Sequence, residues 1–166
     1  FDGYVQCKLS KREFITQAGK VAAAGVTGAM IFDQWRPDYA LAQQVKADDP
    51  AIQTERSSVA SPKGHGSISG LLAMPAKAKG KIPAVLVIHE NRGLNPYIED
   101  VARRLAKAGY LAFAPDGLTS VGGYPGSDDK GRELQAKLDP KKLFEDFIAS
   151  FDFLRLHAKS TGKVGA

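Results

Sequence analysis

The sequence predicts an α/β fold in which a β-hairpin leads into a parallel β-α-β sheet, preceded by a helical segment. Three observations predict it. Residues 83–88 (PAVLVI) and 110–114 (YLAFA) are short, unbroken apolar runs, as expected of strands covered by helices on both faces. Between them Ile98, Val101, Ala102, Leu105 and Ala108 recur at helical spacing, and strand, helix and strand joined by short loops make a right-handed unit. Upstream, two runs containing Ser, Val and Ile flank a turn rich in Pro and Gly, the pattern of an antiparallel hairpin.

Residues 1–47 form the leading unit. Lys11 and Arg12 precede a mildly apolar Ala/Gly/Val run ending near Phe32, and Ala40-Leu41-Ala42 follows. Basic region, apolar region and small-residue site form the order of a secretory signal. Ser10-Lys11-Arg12-Glu13-Phe14-Ile15 also resembles the twin-arginine export motif, with Lys11 in place of its first arginine. The same residues read equally as an amphipathic helix. Phe14, Ala18, Val21, Ala22, Gly25 and Ala29 share one face, and Ser10 with Glu13 fits a capping box. A retained helix is slightly preferred, and localisation stays open, with the cytoplasm as one alternative. A working export signal would make it periplasmic. The run is too short and too rich in glycine to span a bilayer, so no membrane partner is expected.

Residues 48–166 form the body. Thr54–Ala60 and Ser67–Ala73 are the hairpin strands, joined by Ser61-Pro62-Lys63-Gly64-His65-Gly66. His65 is expected to be a solvated turn residue. In the helix from Pro96 to Ala108, Glu99 and Asp100 lie in the first turn, Lys107 lies in the last, and Gly109 closes it, in agreement with the helix dipole and the usual glycine stop. Thr119–Lys130 is a long Gly/Ser/Asp loop followed by helix-compatible residues. Leu143, Phe144, Phe147, Ile148, Phe151 and Leu154 predict a second helix from Pro140 to about Ala158, with Asp139 as N-cap. His157 is expected to cap its end. Residues 161–166 look like a turn and the first residues of a further strand.

Composition narrows the function. The 23 Lys and Arg residues against 18 Asp and Glu give a net charge of +5, but they are scattered, and no aromatic–basic interleaving predicts nucleic acid. A basic pocket for an anionic substrate is the alternative. Cys7 is the one cysteine, and His65, His89 and His157 lie far apart with no companion ligands, so neither a disulfide nor a metal is expected. No cofactor is expected either: the turn after the first parallel strand reads H-E-N-R-G, without the G-x-G-x-x-G that admits a pyrophosphate.

The run PAVLVIHENRGLNPYIEDVARRLAKAGYLAFAPDG, the loop GGYPGSDDKGR and the ending TGKVG together resemble the dienelactone hydrolase family of α/β-hydrolases. The resemblance implies that the body is the N-terminal portion of an α/β-hydrolase domain. It implies that Glu90 matches the family's loop glutamate, which holds the nucleophilic cysteine and moves when substrate binds. It places the backbone N–H of Asn91 in the oxyanion hole. Arg92 would either bind a substrate carboxylate or brace the loop, and Arg132 lies where the family can place a carboxylate-binding arginine. The substrate would be a small ester or lactone. The family's G-x-C-x-G elbow, and the aspartate and histidine beyond it, have no match in residues 1–166; Cys7 has no elbow around it. The expectation is therefore the N-terminal part of a carboxylic ester or lactone hydrolase, inactive alone, with a C-terminal companion fragment or a homo-oligomer covering its sheet edge. The alternative is a non-enzymatic module that associates through that edge and its leading helix, with Glu90 and Arg92 as a surface ion pair.

Overall fold

The structure, a computed structural model, describes residues 12, 13 and 43–166. Arg12 and Glu13 are helical. The rest of the leading helix expected over 9–42, with its export-like motif, its Ser10 cap and Cys7, lies outside the described residues.

Strands β1 (Ile52–Ser61) and β2 (Gly66–Pro75) pair antiparallel along their whole length, from Ile52 opposite Pro75 to Ser61 opposite Gly66. Strand β3 (Ile82–Leu86) leads through helix α1 (Pro96–Lys107) to β4 (Leu111–Pro115), and these two strands are parallel. A short 3-10 turn (Thr119–Val121) and helices α2 (Asp128–Gln135) and α3 (Pro140–Leu156) follow, and β5 (Ser160–Gly165) then pairs parallel with β3. The strand order is β1-β2-β4-β3-β5.

Strand β4 organises the core because all five of its residues are buried. Alternate side chains point to opposite faces of a sheet. Leu111 and Phe113 accordingly pack with Val59, Ile68, Leu72, Leu86 and Leu154 of α3, whereas Ala112 and Ala114 pack with Leu71, Val87, Leu94 and Ala102 of α1. Alanine on both the strand and the helix lets α1 approach the sheet closely.

The helix ends follow the sequence signals. The Asn95 side chain accepts from Ile98 N–H at 3.0 Å, Pro96 opens α1, and Gly109 (φ 101°) follows its last turn. Asp139 accepts from Lys141 N–H at 2.8 Å to cap α3. Helix α1 also grips the segment that leads into β1. Asp100, buried, accepts from the N–H groups of Gln44 and Val45, and Arg103 Nε donates to the Val45 carbonyl at 2.8 Å. Arg56 of β1 pairs with Glu99 of the same helix.

Three expectations need correction. Strand β5 is six residues long rather than the beginning of a strand; its register with β3 shifts between Ile82 and Ala84, and that irregularity hides it from an alternation pattern. Strand β3 ends at Leu86, and Ile88 is exposed. His65 is not a solvated turn residue: its Nδ1 lies 2.6 Å from Asp146 Oδ2, and its N–H donates to Asp146 Oδ1 at 3.0 Å. Asp146, buried on α3, thus pins the hairpin turn to the helix. His157, by contrast, caps α3 as expected: its backbone N–H donates to the Leu154 carbonyl at 3.4 Å, and its Nδ1 accepts from Lys159 N–H.

Candidate active site

Strand β3 lies between β4 and β5. The connection through α1 carries the chain to one side of it, and the connection through α3 carries the chain to the other. Such a reversal opens a crevice at the carboxyl end of the strand, where α/β sheets bind ligands. The residues leaving β3 there are 87–95, and they contain His89, Glu90, Asn91 and Arg92.

Buried groups fix both ends of this loop. His89 is 3% exposed; its Nε2 accepts from Gly117 N–H at 2.9 Å, and its ring meets Phe147 of α3 edge-on at 5.7 Å. A Cβ on Gly117 would stand 2.9 Å from His89 Nε2 and 2.7 Å from Leu143 Cδ1, so only glycine lets the β4 turn approach this ring. At the other end Asp116, 7% exposed, accepts from Leu94 N–H and Leu118 N–H on Oδ1 and from Tyr124 N–H on Oδ2. Gly93 between them has φ 80°, a left-handed conformation in which a Cβ would meet Leu118 at 2.5 Å.

Helix α2 lies along the loop. Gln135 Nε2 donates to the Glu90 carbonyl at 2.8 Å, and a Cβ on Gly131 would stand 2.2 Å from the Arg92 carbonyl. Arg92 Nη1 lies 3.0 Å from Asp128 Oδ2, while Asp128 Oδ1 accepts from Tyr124 OH and Asn95 Nδ2. Arg92 thus pairs with Asp128, and the surface pair with Glu90 is not formed. Glu90 and Asn91 are exposed, and among the described residues the Glu90 carboxylate has no cationic partner and the Asn91 N–H has no acceptor. Arg132 is exposed on α2, next to the glycine that touches Arg92. Among the described residues no three His, Cys, Asp or Glu side chains gather as a metal set.

Sequence reasoning missed Asp116, Tyr124, Asp128 and Gln135. Asp116 ends a buried strand in A-P-D-G, and that position was a usable signal. Asp128 and Gln135 reach the loop across 36 and 45 residues, and no local pattern announces such contacts.

Burial lowers the pKa of His89 from its ordinary 6.5, against the opposing Asp116 charge and Glu90 carbonyl. The neutral ring is also the one that can accept from Gly117. The unfolded chain therefore takes up this proton first as pH falls. The stabilisation is complete above about 6.5 and is lost as pH drops from there through the folded pKa, by at most about 1.4 kcal/mol per unit. In urea melts across that window, His89→Gln, which keeps an acceptor but no titrating ring, is expected to show the shallower pH dependence.

Comparison with known proteins places the chain in a family. The family model described as the dienelactone hydrolase family matches residues 68–166. The chain belongs to that family. It is 64% identical over 115 residues to "Putative hydrolase fragment YghX" of Escherichia coli (strain K12), covering 69% of this chain and 98% of that one. It is 33% identical to "Putative carboxymethylenebutenolidase" of Methylorubrum extorquens, covering 75% of this chain and 44% of the relative. A solved structure titled as a putative dienelactone hydrolase from Klebsiella pneumoniae aligns with TM-score 0.55 and 25% identity, over 69% of this chain and 50% of that one. The chain therefore spans about half the length of these last two, and its sheet matches the α/β-hydrolase fold of this family.

Proposed function

We propose that this chain supplies the N-terminal part of an ester or lactone hydrolase, contributing the oxyanion loop but not the catalytic triad. One observation carries the reading. Glu90 and Asn91 stand exposed at the carboxyl tip of β3, between the buried anchors His89 and Leu94, with no partner among the described residues for the carboxylate or the Asn91 N–H. A preorganised N–H at such a tip stabilises the anion of a tetrahedral intermediate by roughly 2.7–4 kcal/mol. In this reading the Glu90 carboxylate holds a cysteine nucleophile supplied beyond residue 166; its thiolate attacks the ester carbonyl, the C–O bond breaks to release the alcohol (in a lactone, the ring oxygen, which stays tethered), and an acyl-enzyme forms. Water then releases the acid. Arg92, engaged by Asp128, braces the loop, and the exposed Arg132 is the cation available to a substrate carboxylate. The M. extorquens relative bears the name of a butenolide hydrolase, which supports a small enol-lactone or activated ester as substrate.

The test is hydrolysis of p-nitrophenyl acetate. This chain alone is expected to be inert. The chain completed by the C-terminal half of a family member bearing the G-x-C-x-G elbow is expected to turn over, with Glu90→Ala changing its kcat. A completed enzyme indifferent to Glu90→Ala would remove Glu90 from the site, and a completed enzyme with no activity would sink the reading. A second reading, a non-enzymatic association module, draws on Phe144 and Leu156 of α3, which are 62% and 73% exposed. Such apolar exposure favours a covering chain, either a companion C-terminal fragment or a second copy. Intact-mass measurement of purified material with any co-purifying peptide separates the two.

A further inference from the structure

His89 and Asp116 form a reciprocal tie that neither the fold nor the proposed chemistry by itself requires. His89 belongs to the loop after β3, yet it accepts from the backbone just after β4, at Gly117. Asp116 belongs to the turn after β4, yet it accepts from the backbone of the loop after β3, at Leu94. Each strand end thus holds the other by a buried side chain bonded to a main-chain N–H. The two ties bracket Glu90 and Asn91 on both sides. The bonds are restrictive. Nε2 accepts only in the tautomer that carries its proton on Nδ1, and Nδ1 makes no well-formed hydrogen bond of its own. Leaving a buried donor unsatisfied is costly, so the ring is there for the bond its other nitrogen makes. Asp116 uses both oxygens on three N–H groups, which leaves the carboxylate little freedom to turn. The groups facing His89 are the Asp116 charge from the end of β4, the Glu90 carbonyl of its own loop and the ring of Phe147 from α3.

We propose that His89 and Asp116 are positioning residues that fix the Asn91 N–H and the Glu90 carboxylate at the carboxyl tip of β3. This rests on the reading of that loop as half of a hydrolase site. Neither residue touches substrate; each acts through the loop backbone. The nearest unexposed alternative, that the ring only fills space between the β4 turn and α3, would require no acceptor at Nε2.

The test uses the full chain labelled with nitrogen-15 and follows amide exchange and peak positions. The informative reporters are Leu94, which bonds to Asp116 and not to His89, and Asn91, which bonds to neither. His89→Leu keeps the volume and removes the acceptor. It is expected to speed exchange at Leu94 about tenfold, the loss of one such hydrogen bond, and to move the Asn91 peak, while the β1–β2 hairpin amides keep their protection. His89→Gln, which restores an acceptor, is expected to return both reporters toward their original values. Where His89→Leu does not fold, Asp116→Asn is read at the same two amides and is expected to loosen them in the same way. Unchanged Leu94 and Asn91 in a folded His89→Leu would overturn the proposal, as would faster exchange spread evenly over hairpin and loop without rescue by glutamine. These outcomes involve no catalysis, so an inert completed enzyme would sink the hydrolase reading while leaving the tie in place.

Discussion

Phe113→Ala is expected to destabilise the protein by about 3–5 kcal/mol, the usual cost of deleting a buried aromatic ring. Phe113 has no exposed surface and lies at the centre of β4, the strand flanked by β2 and β3. Its ring packs among Ile68, Leu72, Leu86 and Leu154, and meets Phe153 of α3 at 5.2 Å between centroids. Neighbours on both adjoining strands and on α3 are held by their own backbone bonds, so the space left by the ring cannot close. Domains of this size are stable by only about 5–15 kcal/mol, and one such loss removes a large share of that. A urea melt checks it. A midpoint shift matching less than about 1 kcal/mol would mean that the core closes around the gap. Phe153→Ala, at a half-buried position, is expected to cost clearly less.

Asp146→Leu is expected to be nearly as damaging, for a different reason. The substitution favours the helix and adds apolar volume, yet it strips both acceptors from the hairpin turn. The His65 N–H and ring Nδ1 would each lose their partner in a largely closed site. Each unsatisfied group costs about 1–3 kcal/mol. Gly64 makes relaxation harder, because a Cβ there would stand 2.0 Å from Asp146 Oδ1 and 2.4 Å from Ser61 Oγ; turn and helix are in tight contact. Removing both partners by combining His65→Ala with Asp146→Leu is expected to recover part of the loss, since deleting both halves of a buried polar pair is far milder than deleting one. Additive costs in a double-mutant cycle would show that the two side chains are not coupled.

The elements that were legible in the sequence are those whose signal is local. The helix over 96–107 carries its own cap, its apolar stripe and its glycine stop, and the hairpin carries its turn residues. Strand order was not legible. Nothing in Ser160–Gly165 says that it will lie beside β3 rather than β4, because that choice is made by α3 crossing the sheet face opposite α1. The misreading of His65 has the same origin: Pro62, Gly64 and Gly66 announce a turn correctly, but the buried acceptor that takes the histidine out of water lies on α3. At the candidate site, Glu90, Asn91 and Arg92 were found through a contiguous motif. Asp116, Asp128 and Gln135 hold that motif in place through contacts between separate elements, and such contacts leave no period or spacing to read. The sequence leaves Arg92 open between substrate binding and bracing, because Asp128, the carboxylate that engages it, lies 36 residues away.

The grip of α1 on residues 44 and 45 has a mechanical consequence. Two N–H groups of this segment end on Asp100 and the Val45 carbonyl receives Arg103, while Lys107 reaches Asp49 a few residues on. A pull applied at residue 43 is therefore delivered first to the side of a helix, not to strand β1. The strand behind it is zipped residue by residue to β2 and would otherwise open one pair at a time. The helix instead takes the load on several bonds at once, so tension entering at residue 43 meets a clamp before it reaches the sheet.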